Sequence, residues 1–318
     1  MTAIAAGSLH SMALSATGQP SASRVGGADR YETSAAISAA TFQPGVSVAY
    51  VASGQDFPDA LSGGAAAGFY KGPLLTVQPG SIPPAIASEL ERLKPARIVV
   101  LGGIAAVSDA VETQLALLAP TTRLSGADRY ETSAAISAAT FAPGVSIAYV
   151  SSGQNFPDAL SGSAAAGLNA APLLTVQPDS VPTAVAAEIS RLKPAGIVLL
   201  GGTEAVSDSV QAQLGSFAPT TRLSGTDRYV TSAAISAATY QPDVPVVYIT
   251  NGDNFPDALS GAAAASVTAG PILTLYVDGA PTVIAAELAR LRPKKIVVLG
   301  GPAAVSYLGK SALAAYLG

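Results

Sequence analysis

The sequence predicts an α/β protein made of three small doubly wound domains with parallel sheets, packed together as a pseudo-threefold trimer. Three observations predict it. First, the chain repeats: Arg24 to Phe42, Arg123 to Phe141 and Arg222 to Tyr240 are near copies spaced by 99 residues, and Phe57-Pro58-Asp59 and Gly102-Gly103 recur at the same offset. Second, within each copy short, uniformly apolar runs alternate with helical patterns, as parallel strands covered on both faces require. Third, the connections are short and no linker separates one copy from the next, so the units must pack on one another. A length of 318 residues would alone suggest about two domains. The period overrides that and sets units of 22–120, 121–219 and 220–318 behind a lead-in, 1–21.

In first-copy numbering, Arg24 to Gly27 reads as an extended piece, and Thr-Arg-Leu-Ser-Gly in the later copies reads as a strand; it fits either the sheet before it or the one after it. Asp29 opens a helix, with Glu32 three residues on as a capping-box-like signal. The third copy has Val230 instead of the Glu, so the Asp is the repeated part. Thr33, Ala36, Ile37 and Ala40 make the expected inward face, and Pro44-Gly45 stops the helix. Val46 to Ala52 is a buried strand. Asp59 is placed to cap a helix of Ala, Gly and Ser over 60–68, and Pro73 to Val77 is the second buried strand. Pro83 sits where a first helical turn tolerates proline, with Ile86, Leu90 and Leu93 inward. Ile98 to Leu101 is the third buried strand. Gly102-Gly103 follows, and Ser108 caps a last helix whose Val111, Leu115 and Leu118 face the core. The uncharged run Ala258 to Val277 is broken by Gly261, Gly270 and Pro271 and reads as helix, turn and strand, not as a membrane span.

Several function classes drop out. There is no Cys, which removes disulfides and thiol chemistry, and the one His, His10, lies in the lead-in, so no Ser-His-Asp device fits the repeats. No cluster has zinc-ligand spacing, and neither G-x-G-x-x-G nor a phosphate-loop lysine is present, so neither a metal nor a cofactor is expected. A net charge of −4 and the lack of a basic tail argue against nucleic acid. A carboxylate pair for glycan hydrolysis would come from Asp29, Asp56 and Asp59 and their copies, but Asp56 becomes Asn155 and Asn254, and the other two sit where helix caps belong. The chain is expected not to be an enzyme. No signal peptide is visible in residues 1–20. Ala5 to Gly18 instead resembles part of a repeat of the regulator-of-chromosome-condensation propeller family, so the lead-in is expected to be the remnant of a preceding domain and His10 a structural residue of it.

Four motifs in fixed order run through each unit. In the second they are Arg-Leu-Ser-Gly-Ala-Asp-Arg-Tyr-Glu-Thr-Ser, Ser-Gly-Gln-Asn-Phe-Pro-Asp-Ala-Leu-Ser, Pro-Leu-Leu-Thr-Val and Ile-Val-Leu-Leu-Gly-Gly-Thr-Glu-Ala-Val-Ser. They resemble the cell wall-binding repeat 2 family. The resemblance implies Rossmann-like domains in a pseudo-trimer, and a noncovalent anchor holding a secreted protein on a Gram-positive wall. It also implies an anionic wall polymer, teichoic-acid-like or an acidic polysaccharide, as partner. The expected location is extracellular, and the expected state is a monomer with internal pseudo-threefold symmetry. Tyr307-Leu308-Gly309 departs from the pattern, replacing Asp-Ala-Val at the start of the last helix.

Helix N-termini gathered at the C-terminal rim of a parallel sheet suit an anion, and arginine adds bidentate reach. The candidate ligand residues are therefore Arg30, Arg129 and Arg228, then Arg24, Arg123 and Arg222, with Tyr31, Tyr130 and Tyr229 placed to stack on a sugar. Each has a structural alternative: an ion pair or cap for the arginines, interface packing for the tyrosines. Arg92, Lys94, Arg191, Lys193, Arg290 and Arg292 form a second basic cluster, read as solvated charges at helix C-termini. Three linked weak sites favour binding to a repetitive polymer, which linkage strengthens by about 10²–10⁴. The alternative in another class is a rigid spacer or self-assembling surface-layer module.

Overall fold

A computed structural model of the chain describes residues 21–317 except 56, 155–156 and 254–257. The lead-in, with His10, lies outside the described residues, as do Asn155, Asn254 and Asp56.

The first strands and helices alternate as β1 Ser21–Val25, α1 Arg30–Thr41, β2 Ala49–Ser53, α2 Pro58–Phe69, β3 Leu74–Val77, α3 Pro84–Leu93, β4 Ile98–Leu101 and α4 Asp109–Ala116. The second copy gives β5 Thr121–Leu124, α5 Arg129–Thr140, β6 Ala148–Ser152, α6 Pro157–Leu168, β7 Leu173–Val176, α7 Thr183–Leu192, β8 Ile197–Leu200 and α8 Asp208–Gly215. The third gives β9 Thr220–Leu223, α9 Arg228–Thr239, β10 Val247–Asn251, α10 Gly261–Val267, β11 Ile272–Leu275, α11 Thr282–Leu291, β12 Lys295–Leu299 and α12 Tyr307–Leu313. All sheet pairings are parallel, as the uniformly buried strands such as Ala-Tyr-Val-Ala-Ser of β2 require. No helix among the described residues is long and apolar enough to cross a membrane, and the run Ala258 to Val277 holds α10 and β11.

The sheet orders are β3-β2-β4-β5, β7-β6-β8-β9 and β11-β10-β12-β1. The opening strand of each copy therefore lies in the sheet of the copy before it. The ring closes on itself, since β1 pairs with β12 in register, Ser21 opposite Lys295 and Val25 opposite Leu299. These edge strands are short and polar, Thr-Thr-Arg-Leu in β5 and β9, and largely half-buried, which suits an edge.

Helices α2, α6 and α10 each contact the other two at the centre, and each also leans on the next copy: α2 on α5, α6 on α9, α10 on α1. Small side chains permit this approach. A Cβ added at Gly64 would stand 2.5 Å from Ser163 Oγ and 2.9 Å from Ala262 Cβ. One turn on, a Cβ at Gly68 would stand 2.6 Å from Ser266 Cβ and 3.2 Å from Gly167 Cα.

The opening helix is rotated from the expected face. Tyr31, Thr33, Ser34, Ile37 and Ser38 are buried, whereas Ala36 is half-buried and Ala40 exposed. Apolar content alone misplaced the face because a serine can be buried when its hydroxyl is bonded. Ser34 Oγ accepts the N–H of Thr76 at 3.1 Å, on the edge strand β3, and shares a 2.6 Å hydrogen bond with Ser260 Oγ. Ser133 and Ser232 do the same for Thr175 and Thr274.

Candidate functional site at the repeat junctions

Each junction is built from three segments: the turn after the third buried strand of one copy, the first turn of that copy's second helix, and the opening helix of the next copy. The turn needs glycine at its first position, since Gly102, Gly201 and Gly300 have φ of +95°, +100° and +92°. Asp59 was expected as a cap, but α2 starts at Pro58, and its N-cap is Phe57, whose side chain does not cap the helix by a hydrogen bond. Proline at the first helical position pushes Asp59 into the first turn, where its carboxylate faces the glycine turn. A Cβ on Gly102 would come within 2.3 Å of Asp59 Oδ2, and one on Gly201 within 2.6 Å of Asp158 Oδ2. The copy in the third unit, Asp257, lies outside the described residues.

The opening helices are capped as the sequence indicates. Asp29 Oδ1 accepts the N–H of Tyr31 and Glu32, and Asp128 and Asp227 repeat the arrangement. Glu32 and Glu131 accept the N–H of Ala28 and Ala127 at 2.8 Å. The threonine hydroxyl of each copy holds the preceding glycine, Thr33 to Gly27 N at 3.0 Å for instance.

The candidate arginines divide into two sets. Arg123 and Arg222 reach back from the edge strand into the glycine turn of the preceding copy. Arg123 Nη1 donates to Gly102 O and Val107 O, both at 2.8 Å, and its Nε donates to Glu112. Arg222 donates to Gly201 O, Val206 O and Gln211 Oε1. Arg24 closes the ring in the same way on Gly300 O, Gly301 O and Val305 O. These guanidinium groups tie strand to turn across each junction.

Arg30, Arg129 and Arg228 lie half-buried at the mouth of the junctions, each donating through Nη1 to a glycine carbonyl of its own copy: Gly54 at 2.6 Å, Gly153 at 2.7 Å and Gly252 at 2.5 Å. Arg228 also pairs with Asp253 at 3.2 Å and keeps 37 % of its side chain exposed. Tyr31, Tyr130 and Tyr229 pack inward in the apolar cores and are at most 7 % exposed. Each ring edge lies under the glycine that the arginine holds, since a Cβ on Gly54, Gly153 or Gly252 would meet it within 2.7 Å. Burial, reinforced by Asp253, pushes the Tyr229 hydroxyl up to about 12.

Between the second and third copies the junction opens into a cleft of about 420 Å³ lined by Asp158, Thr203, Glu204, Asp227, Arg228 and Thr231 among others. Burial pushes Asp158 up to about 6, against the pull of Arg228 and of the hydrogen bond from Thr231. Among the described residues no group of acidic or His side chains is placed to hold a metal.

The second basic cluster is not simply solvated. Arg92, Arg191 and Arg290 each make a bidentate pair with the buried Glu89, Glu188 or Glu287 one turn earlier, and each bonds the carbonyl that ends the opening helix, Phe42, Phe141 or Tyr240. Sequence reasoning missed the pairing. The i, i+3 Glu–Arg spacing was the signal available for it. Lys94, Lys193 and Arg292 end their helices in the left-handed conformation, φ 43–47°.

A chain with three such units, closed by edge strands passed from one sheet to the next, is a tandem-repeat α/β protein. The model of the family "Cell wall binding domain 2" matches residues 24–112, 123–211 and 222–308, and the chain belongs to that family. It is 30 % identical over 247 residues to N-acetylmuramoyl-L-alanine amidase LytC of Bacillus subtilis (strain 168), covering 77 % of this chain and 48 % of the relative. It is 29 % identical over 259 residues to the amidase enhancer of the same organism, covering 81 % of this chain and 35 % of the relative. The chain thus spans about half or less of these relatives. Cwp6 from Clostridium difficile has the same fold, with a TM-score of 0.87 at 24 % identity, covering 94 % of this chain and 48 % of that one. Cwp8 from the same organism gives 0.83 at 23 %, covering 93 % and 51 %. The chain is a cell-wall-binding module associated with the wall or surface.

Proposed function

We propose that the chain is a noncovalent, monomeric anchor that holds a secreted Gram-positive protein on its wall by gripping an anionic polymer at three repeated junctions. The units are 22–120, 121–219 and 220–318, each lending its opening strand to the unit before it. Arg30, Arg129 and Arg228 make the polymer contacts, while Arg24, Arg123 and Arg222 hold the turns in place and Tyr31, Tyr130 and Tyr229 brace the loops. One observation carries the reading: the same half-exposed guanidinium, steadied through one Nη by a glycine carbonyl, recurs at each junction mouth. A guanidinium placed at such a mouth suits phosphate or carboxylate. Three such groups on a rigid ring suit a repetitive ligand.

The test is sedimentation of the protein with Gram-positive sacculi before and after acid removal of their anionic polymers. Saturable binding that falls with salt, disappears with the polymer, and drops by about tenfold or more in R30Q/R129Q/R228Q supports the reading. Equal binding to stripped walls would refute it.

A further inference from the structure

Parallel strands set the direction of every helix. Each helix runs back from the carboxyl ends of the strands, so the helix C-termini and the loops that enter the strands gather at one rim, opposite the junction mouths. The charges are sorted between the two rims. At the carboxyl ends of the strands the described loops hold carboxylates, among them Asp128, Asp179, Glu204, Asp227 and Asp278, and no lysine. At the amino ends, the loops and strand starts hold every lysine but Lys310. The first copy places Lys71, Lys94 and Arg97 there, the second Lys193, and the third Lys294 and Lys295, all of them exposed. Arg292 joins them but is paired at 2.8 Å with Asp243, the one carboxylate of those loops among the described residues. One turn back along α3, Glu91 is exposed, while Glu89, Glu188 and Glu287 are buried and already paired with arginine. A chain with a net charge of −4 thus carries one basic face.

Cations at helix ends offset the helix dipole, which accounts for Lys94, Lys193 and Arg292. It does not account for Arg97, Lys294 and Lys295, which stand where the chain enters β4 and β12. Arg97 is also held in place. Its Cζ lies 5.3 Å from the centroid of the Tyr70 ring. Tyr70 meets Phe69 edge-on at 5.0 Å, and Phe69 meets Phe141 of the second copy at 5.1 Å. Phe141 is buried, so the row of rings supports the guanidinium from the core. Arg97 itself is exposed and makes no hydrogen bond or ion pair with any described residue. The row occurs once, since the second copy has Leu168-Asn169 and Gly196 at these positions and the third has Val267-Thr268 and Lys295. Phe69 and Val267, 38 % and 37 % exposed, end two of the central helices at the same rim.

We propose that this rim is a second polyanion-binding face, on which an anionic polymer lies across the ring with a phosphate or carboxylate held by Arg97. The unpaired guanidinium is the fixed point, and Lys71, Lys94, Lys294 and Lys295 supply the field that draws the polymer in. Two apolar side chains exposed by little more than a third offer too little surface to enter a bilayer, so the face fits a hydrated polymer and not a membrane. The inference goes beyond the anchor reading, because the junction mouths open at the other rim. A strand of four or five residues puts about 15 Å between the two rims. That exceeds the Debye length of about 8 Å at physiological ionic strength, so each face acts nearly independently of the other.

Calorimetric titration with long-chain inorganic polyphosphate tests this. Wild-type protein should bind at low salt and lose affinity as salt rises. Lys71→Gln/Arg97→Gln should lower the low-salt affinity about tenfold or more, since each change removes one contact charge worth about fivefold in water. Both side chains are exposed and unpaired among the described residues, so the melting temperature should not move, which separates lost binding from lost fold. Lys310→Gln, at the one lysine outside the rim, should leave the affinity unchanged. Combined with R30Q/R129Q/R228Q, the losses should multiply, because the two sets lie far apart. Unchanged affinity in folded Lys71→Gln/Arg97→Gln protein, or capture by phosphatidylglycerol vesicles without polyphosphate binding, would overturn the proposal. A loss confined to R30Q/R129Q/R228Q removes this face and keeps the anchor reading at the mouths. A loss confined to Lys71→Gln/Arg97→Gln does the reverse.

Discussion

The centre of the ring has room for one side-chain carbon in the layer formed by Gly68, Gly167 and Ser266. Gly68→Ala puts a second one there. Its Cβ would lie 2.6 Å from Ser266 Cβ, 2.7 Å from Ser266 Oγ and 3.2 Å from Gly167 Cα, where ordinary contacts begin near 3.4 Å. The first and last of these are not flexible side-chain ends, so helices must shift apart by several tenths of an ångström. Overpacking of this kind costs about 1–3 kcal/mol, and the backbone contact puts it at the upper end. Ala for Gly in a helix returns up to about 1 kcal/mol. Gly68→Ala should therefore destabilise the protein by about 2 kcal/mol. Ser266→Gly alone should cost about 1–2 kcal/mol, since it removes a hydroxyl bonded to Ala262 O at 2.8 Å and to Ala164 O at 3.1 Å and adds a flexible residue. In that background Gly68→Ala should become stabilising, because the layer again carries a single Cβ. Urea unfolding of the two single variants and the double variant gives the coupling, expected near 3 kcal/mol. Stabilisation by Gly68→Ala in the otherwise native protein would refute the packing argument.

Asp158 sets a pH dependence. Its folded value, about 6, lies above the unfolded carboxylate range near 4, so the folded state binds the extra proton. Its contribution to stability is present below about pH 4 and is lost as pH rises through about 6. Asp158→Asn should accordingly be more stable than wild type at pH 7.5 and similar at pH 4, as thermal melts at both values will show. Because Asp158 faces Arg228, wall binding should tighten as pH falls through about 6 in the wild type and change less in Asp158→Asn. Lys94, at the end of α3, holds φ at 46°. Lys94→Gly should raise the unfolding free energy by about 0.5–1 kcal/mol, since relief of the left-handed strain exceeds the entropy a glycine adds; a loss of stability in urea would contradict it.

Much of this was legible along the chain. The period marks three units, the apolar runs mark parallel strands, and Asp29, Asp128 and Asp227 mark helix starts, because each signal is a local relation between residues a few positions apart. The inward face of α1 was misread because burial of Ser34 depends on an edge-strand N–H, at Thr76, that is 42 residues away. Asp59 was misread because its cap-like spacing is overruled by Pro58 and by a glycine turn it meets only in the folded chain.

The identity of the repeat, the order of its elements and its membership of a wall-binding family were settled by the sequence itself, since the motifs are contiguous and the pattern of burial is short-ranged. Which sheet receives each opening strand was not. Thr-Arg-Leu has the same propensity on either side, and the choice follows from parallel pairing with β4, β8 or β12 and from the arginine that bonds the preceding turn. The departure at Tyr307 was visible as letters, but it acquired meaning only when β1 was seen to close against β12 from the far end of the chain and brought Arg24 beside Tyr307. Long-range pairing determines which charges meet, and no local pattern encodes that.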